Sequence, residues 1–74
     1  MINELDVVAL TRDLPENGLK VDDLGAVVLV HGDGAAFEVE FVALDGRTIA
    51  RLTLPADAIR PVRAREIAHV REVA

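Results

Sequence analysis

Two side chains in this sequence titrate near neutral pH, His31 and His69, so any proton shuttling there would fall to them. His31 opens the run His31-Gly32-Asp33-Gly34, with an acid two residues on. A catalytic pair also needs a nucleophile and a pocket, and nothing nearby in the sequence supplies either. Four acids, Asp13, Glu16, Asp22 and Asp23, crowd one short stretch, and loop carboxylates are the ligands that calcium prefers. A calcium loop alternates its ligands and closes on a bidentate acid, however, and Asp22-Asp23 breaks that spacing. Two carboxylates working as acid and base need a deep pocket to set their pKa values apart, which a chain of 74 residues rarely contains. Gly32-Asp33-Gly34 lacks the Lys and Ser/Thr of a phosphate loop and is followed by no helical pattern. The expectation is a chain with no catalytic, cofactor-binding or metal-binding residues: His31 is a turn or rim histidine, and His69 rides the face of a helix.

Composition removes further classes. Cysteine is absent, which excludes disulfides, thiolate zinc sites and thiol catalysis, and fits a cytoplasmic location. The first ten residues lack the basic start and apolar core of a signal peptide, and no apolar run is long enough to span a membrane. With two Phe and no Tyr or Trp, the chain cannot build an aromatic groove for proline-rich peptides or an aromatic cage for methyl-lysine. Net charge is −5 and unevenly spread. Residues 1–59 hold eleven acids and four bases, a net of −7, whereas residues 60–74 hold four arginines and two glutamates, a net of +2. Such a body repels nucleic acid and attracts a basic protein.

The elements that must position these residues read as strands. Asp6 to Leu10 is a short apolar run. Thr11 to Leu24 breaks every regular pattern with Pro15, Asn17-Gly18 and Asp22-Asp23. It reads as a long acidic loop pinned to the body by Leu14 and Leu19, with Val21 and Leu24 as further anchors. Ala26 to Val30 forms a second strand and Phe37 to Leu44 a third, with Phe37, Val39 and Phe41 on one face and Glu38 and Glu40 on the other. Asp45-Gly46 predicts a two-residue hairpin into a fourth strand, Arg47 to Leu54. Pro55 to Ala58 suits one helical turn, and Ile59 to Val62 a last edge strand. All five glycines fall at breaks between runs.

This order of elements, all-β, is that of a small five-stranded SH3-like barrel over residues 1–62. The segments DVVALTRDLPENGLKVDDLGAVVLV, FEVEFVALDG and LTLPADAIRPV resemble a family of short bacterial proteins classified as a domain of unknown function. They are also similar in style to the small barrels of the nitrile hydratase β-subunit and of KOW modules. Asp22 stands where such barrels often carry a glycine. The resemblance implies a fold and a bacterial origin, and no activity.

Residues 63–74 differ. Ala64, Ile67 and Val70 share a face at helical spacing, which predicts a short helical tail. So short a helix is marginal in water and needs a surface. Val42, Leu44 and Ile49 fall out of step with the inward face, and form an outer apolar patch for the tail or a second subunit, unless a bulge turns them inward. The functional expectation is a non-enzymatic interaction module without cofactor. Its acidic loop face, Asp13, Glu16, Asp22 and Asp23, engages a protein partner as antitoxins and immunity proteins do. The alternative is an accessory subunit of a larger enzyme, or a self-associating barrel, that uses Val42, Leu44 and Ile49. Neither nucleic acid nor membrane is an expected partner; a homo-oligomer is compatible with both readings.

Overall fold

A computed structural model describes residues 1–73. Five strands form one antiparallel sheet: β1 (Val7–Leu10), β2 (Leu24–His31), β3 (Ala36–Val42), β4 (Thr48–Pro55) and β5 (Ile59–Pro61), in the order β4-β3-β2-β1-β5. Single 3₁₀ turns lie at Pro15–Asn17 and Ala56–Ala58. Among the described residues the sheet does not close into a barrel, because β4 and β5 remain its two edges. β5 is three residues long and ends at Pro61, which has no donor to offer a further neighbour.

Alternation decides which side chains meet. Phe37, Val39 and Phe41 of β3 are buried and form the core with Val8, Leu10, Val27, Leu54 and Ile59. Glu38 and Glu40 lie on the opposite face, where Glu38 accepts hydrogen bonds from Thr53 at 2.6 Å and pairs with His31 at 2.8 Å. β1 buries Val8, Ala9 and Leu10 in succession. β2 and β5 pair with its two edges, and the burial of Ala9 beside Val8 and Leu10 shows that both faces are covered there, which suits a continuous apolar run.

Two bulges bend the sheet. One interrupts the β2–β3 register between Val27 and Leu29, and the other the β3–β4 register between Phe41 and Val42. At the second, Phe41 pairs with Ala50 and Val42 with Thr48, so Ile49 is the extra residue. Ile49 is thereby turned against the core, while Val42 and Leu44 stay exposed. The turn after β3 also differs from the sequence reading. It spans three residues, closed by the Ala43 N–H to the Arg47 carbonyl at 2.8 Å, and Gly46 alone takes a positive φ, of 91°. Gly25 does not punctuate the chain, but lies inside β2.

The expected helical tail is not formed. Residues 62–73 make one turn at Ala64-Arg65, and the rest is irregular; Ala74, the last residue of the expected tail, lies outside the described residues. Glu66 bonds the Arg63 N–H at 2.7 Å, as the third residue of a helix does at its cap. Its carboxylate is also gripped by Arg60, and Ile67 and Val70 stay exposed with no surface beneath them to reward a helix.

Candidate functional site

The stretch between β1 and β2 is irregular yet ordered from within. Leu14 and Leu19 exchange backbone hydrogen bonds at 2.8 and 3.1 Å around the Pro15–Asn17 turn, forming a miniature hairpin. Leu19 is buried in the core and Leu14 packs against it, as expected of the apolar members of an otherwise polar loop. Val21 and Leu24, the further anchors expected, are 48% and 41% exposed and do not reach the core. The end of the loop is tied to β1, since Leu10 donates to the Asp23 carbonyl at 3.0 Å and accepts from the Asp22 N–H at 2.9 Å.

This scaffold gives the four acids unequal roles. Asp13 accepts the Val21 N–H at 2.8 Å, and so closes the loop across eight residues. Asp23 accepts the Lys20 N–H at 2.8 Å. Asp22 sits in the left-handed region at φ 72°, the conformation that a glycine adopts without strain and that Asp tolerates better than most residues. Glu16 projects from the 3₁₀ turn into solvent. Two of the four acids therefore hold the loop's shape, and two point outward from it.

The chain's own C-terminal segment crosses this face. The Arg71 guanidinium donates through Nε to Asp23 Oδ1 at 2.8 Å, through Nη2 to Asp23 Oδ2, and through Nη2 to the Gly18 carbonyl at 2.9 Å. Arg60 forms a fork with both oxygens of Glu66, at 2.8 and 2.7 Å, and reaches Asp22 at 3.4 Å. The Arg71 hydrogen bonds, against an opposing effect of burial, hold the Asp23 carboxyl below the usual aspartate range. The Arg60 fork and the Arg63 N–H lower Glu66 to about 2. On the far face of the sheet, the hydrogen bonds from His31 and then Thr53 lower Glu38. In that cluster Glu38 accepts from both neighbours, so His31 is not aimed at the Thr53 hydroxyl, as a nucleophile–base pair requires.

A groove of about 340 Å³ lies between the loop and the tail, bordered by Val21, Leu24, Val62, Ile67 and Val70 and by the Asp23–Arg71 pair. The tail thus runs along the acidic loop. It does not cover the Val42–Leu44 surface, where Val42 is 49% and Leu44 95% exposed. Val42, Leu44 and Ile49 do not form one patch, because the bulge turns Ile49 inward. Reading by residue type missed Arg60, Arg71 and the Gly18 carbonyl. Their signal was the opposite charge of the two parts of the chain, which marks pairing within it as much as pairing with a partner. Among the described residues no three His, Cys, Asp or Glu side chains are grouped to hold a metal ion. No helix there is long and apolar enough to cross a membrane.

Residues 4–61 match the family model described as a domain of unknown function, DUF4926. The chain belongs to that family. No curated protein and no solved structure matches it. The match ends at β5, so in this DUF4926 domain Glu66 and Arg71 lie beyond the family segment while the acidic loop lies within it.

Proposed function

We propose that this DUF4926 domain is a non-enzymatic protein-interaction module of the cytoplasm, whose acidic loop face engages a basic protein partner in the manner of an antitoxin or immunity protein. One observation carries the reading. The acids sit on a loop whose backbone is held by its own hydrogen bonds and by buried Leu19, so the loop itself needs little further ordering at the moment of binding. Electrostatic complementarity of this kind mainly sets association rate and partner choice. We also infer an SH3-like architecture. Support comes from the strand order β4-β3-β2-β1-β5, the two bulges that bend the sheet, and the 3₁₀ turn before the last strand.

The test is affinity capture of the tagged chain from its native cells, beside a variant carrying Glu16→Lys and Asp22→Lys. These two acids are chosen because Asp13 and Asp23 hold the loop through the Val21 and Lys20 N–H groups. A basic protein recovered with the parent and lost from the variant supports the reading, and recovery with both overturns it. The second reading, an accessory subunit or a self-associating domain, is favoured by the exposure of Val42 and Leu44 at one end of the sheet. It predicts capture that is indifferent to the acids and sensitive to Leu44→Asp.

A further inference from the structure

We propose that Asp23 and the Gly18 carbonyl form a guanidinium-binding cradle, which the C-terminal segment fills in cis through Arg71 and an arginine-bearing segment of the partner fills in its place. The inference rests on the acidic-face reading, and it names both the chemistry of the partner and the device that screens the site.

The cradle is built for the fork of an arginine. Both Asp23 oxygens and one main-chain carbonyl accept from Nε and Nη2, a planar array that a lysine ammonium does not match. It is also held from the body side. Asp23 Oδ2 accepts the Lys20 N–H, the Asp23 N–H donates to the Lys20 carbonyl at 3.0 Å, and Leu10 of β1 donates to the Asp23 carbonyl. Gly18 lies between Leu14 and Leu19, whose backbone bonds close the miniature hairpin. None of these groups depends on the tail.

The tail, in contrast, is lightly held. Among the described residues no backbone hydrogen bond joins residues 67–73 to the body, and Ile67 and Val70 are 85% and 84% exposed. Past Glu66, the hydrogen bonds that tie it down come from Arg71. The groove beside them, bordered by Val21, Leu24 and Val62, leaves room for the neighbours of an arginine in an extended segment. A tethered occupant competes at its effective local concentration, so a partner binds more weakly by the fraction of cradles left open.

The test uses the full chain and a fluorescent peptide with the sequence of residues 62–73, read by anisotropy. The Arg71→Ala chain, with its cradle vacated, is expected to bind the peptide about fivefold more tightly than the parent, or better. Asp23→Asn, which keeps an acceptor for the Lys20 N–H, is expected to abolish binding while remaining cooperatively folded at a somewhat lower melting temperature, and a peptide with Arg71→Lys is expected to bind poorly. Equal binding to parent and Arg71→Ala chains overturns the strap. Binding to neither, with both folded, overturns the cradle. A parent dimer that is lost on Arg71→Ala would make the occupant the tail of a second copy, and overturns a separate partner. These arms need no cellular protein and leave Glu16 and Asp22 untouched, so their failure is distinct from failure of the capture experiment.

Discussion

The ring of Phe41 lies against the bare Cα of Gly25: a Cβ built there would stand 2.8 Å from Phe41 Cε2 and 2.6 Å from Val39 Cγ1. Both neighbours are core side chains, held between β2 and β4. Gly25→Ala should therefore destabilise the domain by about 1–3 kcal/mol through overpacking. Chemical denaturation would show this as a lower midpoint with an unchanged slope. An unchanged midpoint would mean that β3 shifts freely, contrary to this packing.

Leu5 is held at φ 72° beside β2, with its N–H on the Val27 carbonyl at 2.7 Å and its side chain 84% exposed. Left-handed backbone costs a non-glycine residue about 1–2 kcal/mol, against about 0.5–1 kcal/mol of extra chain entropy for glycine. Leu5→Gly should thus raise stability by up to about 1 kcal/mol, and Leu5→Val, β-branched, should lower it. A fall in the melting temperature of Leu5→Gly would reveal a contact made by this side chain.

Acid should weaken the fold in a defined window. Glu66, Asp23 and Glu38 have folded pKa values below their ordinary ones, Glu66 at about 2. Between about pH 4.5 and pH 2 the unfolded chain binds more protons than the folded one, so stability rises with pH there. It is complete above the ordinary carboxylate range, and is lost as pH falls through the folded values. Glu66→Gln should flatten this dependence in urea titrations run from pH 6 to pH 2. A profile identical to the parent's would show that the Arg60–Glu66 fork does not persist in solution.

Burial separates two leucines that composition treats alike. Leu10 is fully buried and Leu44 is 95% exposed. Leu10→Ala should cost about 2–5 kcal/mol, a large share of the roughly 4–11 kcal/mol expected of a domain this size. Leu44→Ala should stay within about 0.5 kcal/mol of the parent. Equal losses in thermal melts would place Leu44 in an interface, and so favour the self-associating reading.

The sequence by itself determined the strands. Two-residue alternation in Phe37-Glu38-Val39-Glu40-Phe41 marks one buried face, and the short apolar run from Asp6 to Leu10 marks the first strand. It also marked Leu14 and Leu19 as anchors, while the resemblance to small barrels, rather than the residues alone, put Asp22 in a glycine's place. Only the tertiary structure decided the rest. Periodicity shows that Ile49 is out of step with Ala50, Leu52 and Leu54 but leaves open whether it lies on the outer face or in a bulge. The β3–β4 register decides for the bulge, which packs Ile49 against the core and leaves Val42 and Leu44 outside. A local helical pattern could not announce that the tail would stay irregular, because a helix this short forms only where a surface rewards it. The pairing of Asp23 with Arg71 spans 48 residues. Charge imbalance in the sequence points to a basic partner outside the chain; only the folded loop sets a carboxylate and the Gly18 carbonyl at the spacing of one guanidinium, which the chain's own Arg71 fills.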